Sequence, residues 1–146
     1  MSNLQKLEQG RAANAYKCAE AVIVKYSETK TENEVETRVA RKEAKKYKSH
    51  VKKMPMMIKT NGLGAAAAFA FSKSKGTDVT WALLLEHIEK WLIEKGDFVV
   101  GEKLHKKAIE LESLKYRALT IEVFAFLNWL SRFAEGLIEG EDEGDN

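Results

Sequence analysis

Apolar residues recur at Ala40, Ala44, Tyr47, Val51, Met54 and Ile58, spaced 4-3-4-3-4 along the chain. With about 100° of turn per residue, that series falls on one stripe of an α-helix and on no single face of a strand. The other side of the same helix is charged. From Arg38 to Lys59 there are nine basic residues and one acid, Glu43. Arg41, Lys45, Lys48, Lys52 and Lys59 lie within roughly 60° of one another around the helix, with Lys42, Lys46 and Lys53 beside them. One side can seat in a core while the other presents a row of cations. Pro55 lacks an N–H and biases Met54 away from α geometry. A kink or break is therefore expected there, with Pro55 opening a second short helix over about 55–60.

The same period runs through most of the chain, which holds one proline in 146 residues and few turn clusters, so the expected fold class is all-α, a single-domain bundle of about six helices. Residues 3–27 read as a helix whose seam is Leu4, Leu7, Ala15, Cys18, Ala19, Val22 and Tyr26. Arg11 interrupts that seam, and a charge there needs a partner. A carboxylate or carbonyl from another helix is one reading, and a contact to RNA or to a neighbouring subunit is the other. Ser27 to Asn33 is a polar connector with N-cap candidates Thr31 and Asn33. The helix after it, from about residue 33 to 53, begins with Glu34 and Glu36 and then turns basic, an order that suits the helix dipole.

Asn61-Gly62 reads as a helix stop, with Leu63 supplying the apolar contact after it. Gly64 then opens a helix through Ala65–Phe71 that closes over Ser72–Gly76. Thr77 or Asp78 caps the next, roughly 79–95, which buries Trp81, Leu84, Leu85, Ile88, Trp91 and Leu92 and ends at Gly96. Asp97–Gly101 is a loop, a short helix spans about 102–112, and Ser113 caps a last helix over 114–138. Tyr116, Leu119, Val123, Phe126, Leu127, Leu130, Phe133, Ala134 and Leu137 give that helix its broad apolar face. Ile121 and Phe124 lie among polar residues on the opposite side. Either the helix is buried nearly all round, or these two mark a subunit contact. The helical domain thus covers 1–138, and 139–146 is an acidic tail expected to be disordered.

Little in the chain suggests catalysis. His50, His87 and His105 sit on separate helices with no spacing that fits a metal site, so no metal and no cofactor are expected. Glu86 and Glu89 beside His87 read as an exposed helix face. Gly62-Leu63-Gly64-Ala65-Ala66-Ala67 matches a dinucleotide fingerprint formally, but no strand precedes it and no sheet is available. What remains there is a helix start whose N–H groups, with Lys59 and Lys73, could touch a phosphate. Cys18 reads as a small buried hydrophobe, and a single cysteine fits a reducing, cytoplasmic setting. The first residues, MSNLQKLEQG, hold no apolar signal segment, and no run approaches the ~18 apolar residues of a membrane span.

Charge points elsewhere. Arg38–Lys59 carries +8 and the other 124 residues −6, so the whole-chain value of +2 hides a strong local dipole. A solvated helix face usually interleaves Glu with Lys at i,i+4, and this one hardly does. That favours a phosphate-binding surface, although a solvated face and a dock for an acidic protein stay open. A separate DNA-reading domain would want Arg, Asn or Gln for base edges, and this helix is mostly Lys.

Three segments, LEQGRAANAY (7–16), YKSHVKKMPMMIKTNGLGAAAAFAFSK (47–73) and YRALTIEVFAFLNWLSRFAEGLI (116–138), resemble the small subunit of the type III-B (Cmr) CRISPR RNA-silencing complex. They stand in the expected order and span nearly the whole chain. The resemblance implies a non-catalytic all-α subunit of an RNA-guided antiviral ribonucleoprotein, stacked in several copies beside the other subunits of the complex. Its expected partners are those subunits, copies of itself, guide RNA and target RNA, with no membrane. Phosphate contacts are then expected at Arg41, Lys42, Lys45, Lys46, Lys48, Lys52, Lys53 and Lys59, with Arg11 a further candidate. Ile121 and Phe124 would serve the subunit interface. Binding would ignore sequence, because pairing with the guide supplies specificity.

Overall fold

The computed structural model describes residues 2–27, 34–76 and 78–138, and within these the side chains of 27 and 34–39 are left aside. Six helices follow in order: α1 (Asn3–Ser27), α2 (Glu34–Asn61), α3 (Leu63–Ser74), α4 (Val79–Lys95), α5 (Leu104–Glu110) and α6 (Ser113–Leu137). No strand occurs among the described residues, and the fold is an all-α single-domain bundle. The readings that fall on residues 28–33, on Thr77 and on the tail 139–146 lie outside the described residues.

The most extensive packing joins α1 to α6, the first and last helices, and α2 lies next to α1, α3, α4 and α6. The amphipathic stripe of α2 explains its central place. Tyr47, Val51 and Met54 are fully buried, with Ala40 and Ile58 nearly so, and Ala44 packs against them half-buried. α6 contributes Leu119, Val123, Phe126, Leu127, Leu130 and Ala134 to the same core. Each fully buried Leu, Val, Phe or Met of this kind is worth about 1.5–3 kcal/mol.

Several boundaries follow the expected chemistry. Gly96 takes a left-handed φ of 98° and its N–H returns to the carbonyls of Leu92 and Ile93, closing α4. Gly62 does the corresponding work between α2 and α3 at φ 88°, donating to the Ile58 carbonyl at 2.8 Å, and Leu63 after it is fully buried. Asp78 caps α4 by accepting from the Thr80 N–H at 3.0 Å.

Others do not. α2 runs through Pro55 as one helix rather than breaking there, because Val51, Met54 and Ile58 are seated on both sides of it. The lost backbone bond is local, and burial of those side chains outweighs it. Ser113 is the first residue of α6 and not its cap; Glu112 holds the cap position without a side-chain bond. Leu4 is 74% exposed and so lies outside the core seam expected for it. His87 and Glu89 belong to the buried side of α4, in contrast to the exposed face expected for them, while Glu86 is exposed. Glu89 serves the fold, since its Oε2 accepts from the Leu104 N–H at 2.8 Å. That satisfies a free donor at the start of α5, whose own cap residue, Lys103, makes no side-chain bond.

Candidate nucleic-acid interface

The basic row of α2 exists because its opposite stripe is locked in the core. Arg41, Lys42, Lys52, Lys53 and Lys59 are exposed, and Lys45 and Lys46 are half-exposed at the margin. Lys46 Nζ stands 3.3 Å from Glu43, the one acid within the row. Among the described residues no carboxylate lies within salt-bridge distance of Arg41, Lys42, Lys45 or Lys59. Lys53 and Lys73 approach the Phe69 ring from α2 and α3, at 6.0 and 5.5 Å from its centroid.

Lys48 departs from the row. It is only 3% exposed, donates to the Ile138 carbonyl at 3.3 Å and stands 3.8 Å from Glu135. It therefore holds the C-terminal end of α6 and does not face outward with its neighbours. Lys52, one turn on, meets the same Glu135 at 2.5 Å from the exposed side.

Arg11 finds the carboxylate that its position in the seam demands. Its Nε and Nη2 donate to the two oxygens of Glu122 at 2.6 and 2.9 Å, a bidentate pair. Trp91 Nε1 donates to Glu122 Oε2 at 3.1 Å, and Lys95 Nζ stands 3.5 Å from Oε1. Burial pushes the Glu122 carboxyl up, but the bonds from Arg11 and Trp91 outweigh burial and hold it below its usual value. Arg11 thereby ties α1 to α6 and α4, and leaves the cationic row.

Of the two apolar candidates on α6, Ile121 is 63% exposed, whereas Phe124 is half-buried against the core. The start of α3 is partly occupied: Tyr116 of α6 places its hydroxyl 3.0 Å from the Gly64 N–H. A Cβ on Gly62 would meet that hydroxyl at 3.3 Å, so glycine is needed there both for its positive φ and for room.

A second group of cations gave no signal in the sequence, because its members are far apart in the chain. His105 of α5 stacks on Phe71 of α3 at 3.7 Å, and Lys75 Nζ lies 4.9 Å from the centre of that ring. Burial, and then the charges of Lys75, Lys103 and Lys106, lower the His105 pKa.

His50, His87, Tyr47 and Cys18 belong to the core. His50 is buried, stacks on Trp81 at 4.0 Å and meets Asp78 at 2.8 Å. The Tyr47 hydroxyl lies 2.6 Å from His87 Nδ1, and burial lowers the His87 pKa to about 4. Burial raises the Cys18 thiol to about 11, against nucleophilic use. No cluster of three metal-ligating side chains occurs among the described residues, and no described helix is long and apolar enough to cross a membrane.

Comparison with known proteins gives concordant results. Residues 7–137 match the family described as CRISPR-associated protein (Cas_Cmr5). The "CRISPR system Cmr subunit Cmr5" of Thermus thermophilus is 31% identical over 99 residues, covering 64% of this chain and 75% of that one. The crystal structure of a CRISPR-associated Cmr5 family protein, also from Thermus thermophilus, superposes with a TM-score of 0.65 at 27% identity, over 95% of this chain and 100% of the other.

Proposed function

Since this chain belongs to the CRISPR-associated Cmr5 family, and so is a small subunit of a type III-B complex, we propose that it binds RNA backbone through the outward row of α2. The observation that carries this reading is the combination on one helix of a buried apolar stripe with exposed cations interrupted by one acid, Glu43. The contacts are Arg41, Lys42, Lys45, Lys46, Lys52, Lys53 and Lys59. Lys48 is not among them because its ammonium is engaged beneath Ile138. Nor is Arg11, because Glu122 holds its Nε and Nη2 in a part-buried bidentate pair. Lysines on a rigid helix suit phosphates, whose positions repeat whatever the bases are, so the binding ignores sequence. The subunit itself cuts nothing, and the guide supplies specificity.

Copies of the chain stack within the complex, and Ile121, 63% exposed on α6, serves that contact. An array of copies would hold guide and target RNA through several weak sites at once.

The test is fluorescence anisotropy of labelled single-stranded RNA and RNA duplex across a salt series, with the wild type and an Arg41→Glu/Lys45→Glu/Lys53→Glu variant. These side chains lie outside the core, so the variant should fold. Binding indifferent to sequence is expected, falling with a slope of about 0.7 per neutralised phosphate on single strands, and lost in the variant. If the assembled complex retained RNA equally with wild-type and variant subunits, the reading would be overturned.

A further inference from the structure

Where α5 crosses α3 the fold gathers cations that the sequence keeps apart. His105 and Phe71 stack ring on ring, 3.7 Å between centroids and 12° from parallel, and both are half-buried. Lys75 Nζ lies 4.9 Å from the centre of the Phe71 ring. The charges of Lys75, Lys103 and Lys106 all act on the His105 ring, and all three lysines are exposed. Among the described residues no carboxylate lies within salt-bridge distance of Lys75 or Lys106. Lys103 stands 3.8 Å from one oxygen of Glu89, whose other oxygen already holds the Leu104 N–H. The next lysine, Lys107, pairs with Glu102 at 2.6 Å. Phe69 and Phe71 are two positions apart, about 200° around α3. The ring under His105 and the ring beside Lys53 of α2 therefore lie on different sides of that helix, which separates this set from the α2 row.

We propose that Phe71, Lys75, Lys103, His105 and Lys106 form a second RNA contact, which takes an unpaired nucleotide with its base on the Phe71–His105 stack and its phosphates among the lysines. Cations held around one ring repel one another, and an anion placed among them relieves that repulsion. The ring pair selects nucleic acid over an acidic peptide, because carboxylates would use only the lysines, whereas every base has a flat face to stack. It selects unpaired over paired bases, because in a duplex those faces already lie against their neighbours. Stacking and phosphate contact both ignore sequence. The class of ligand rests on the RNA-binding reading above; the residues do not, since none belongs to the α2 row.

The test is fluorescence anisotropy at low salt with three labelled probes: oligouridylate, an abasic phosphodiester chain of the same length, and polyglutamate. Four proteins are compared: the native chain, Lys75→Gln/Lys106→Gln, His105→Leu and His105→Phe. Phe71 packs against the core and is left in place. His105→Leu keeps an apolar cover on Phe71 without a flat ring, and His105→Phe restores the ring. Thermal melting checks that each is folded, and the two-glutamine variant, altered only at exposed side chains, decides the matter if a His105 variant is not. Lys75→Gln/Lys106→Gln should weaken oligouridylate and the abasic chain alike, several-fold, with a shallower dependence on salt. His105→Leu should weaken oligouridylate about tenfold and leave the abasic chain unchanged. His105→Phe should hold oligouridylate as the native chain does.

Equal effects of His105→Leu on oligouridylate and the abasic chain would overturn the proposal, because no base would then rest on the rings. Polyglutamate held as tightly as oligouridylate would make the patch a dock for acidic protein and overturn it as well. Native-like oligouridylate binding by both Lys75→Gln/Lys106→Gln and His105→Leu, with loss in the α2 variant described above, would sink this contact and leave the α2 reading standing. The reverse pattern would support this contact and count against the row. No binding of any probe by the native chain would overturn this contact and leave the row to its own test in the assembled complex.

Discussion

Arg11 and Lys45 are both helix cations with an alanine beside them in sequence, yet their surroundings differ in kind. Arg11 is enclosed: Glu122 meets it with two oxygens, and Trp91 and Lys95 complete the group. Lys45 stands at the edge of a row where no carboxylate reaches it among the described residues. A charge drawn towards a core is tolerated only when it is paired and hydrogen-bonded, and that pairing commits it to the fold. A charge held at the surface by an anchored helix keeps its capacity for a ligand. The sign of a residue therefore says less about function than how completely the fold has already answered it.

Glu122→Ala should have the largest effect. It strands the Arg11 guanidinium and the Trp91 N–H, and should cost about 3–5 kcal/mol in urea unfolding. Lys45→Ala should stay within about 0.5 kcal/mol of wild type. Comparable losses from the two would erase the distinction.

Acid probes the interior next. His87 is kept neutral by burial, with its pKa lowered from 6.5 to about 4. The unfolded chain binds that proton first, so stability is full above pH 6.5 and is lost as pH falls towards 4, by on the order of 3 kcal/mol. Urea unfolding across that range should show the slope, and His87→Gln should flatten it.

Lys48 and Lys52 give a finer contrast on one helix. Lys48→Met removes a buried bond to the Ile138 carbonyl and should cost about 1–2 kcal/mol in thermal or urea unfolding. Lys52→Met loses an exposed pair with Glu135 and should cost under about 1 kcal/mol. In RNA binding the order should reverse, with Lys52→Met the more damaging.

The helices were legible because a 3.6-residue period is written directly into residues such as Tyr47, Val51 and Met54. What escaped depends on partners distant in sequence. Lys48 shares its stripe with Lys45 and Lys52, and only the arrival of α6, 90 residues later, distinguishes it. Glu89 serves a donor on α5, though its spacing from Leu85 and Leu92 marks it as lying on the buried side of α4. At Pro55 local backbone chemistry argues for a break, and the core on both sides of it prevails. Arg11 was readable as a residue needing a partner, while the identity of Glu122 was not. The contacts of the basic row with phosphate remain a proposal built on its exposure and charge.

The pairing of Arg11 with Glu122 also bears on how the protein is made. The two residues are 111 positions apart, and α1 packs most extensively against the last helix of the bundle. During synthesis α1 emerges before α6, so the part of α1 that α6 covers, and Arg11 with it, gains its partner only once α6 has followed, although α2 and α4 can pack on α1 earlier. Closure of the α1–α6 packing is thus a late step. Nascent chains halted before α6 would expose the part of α1 that α6 covers and leave Arg11 without Glu122.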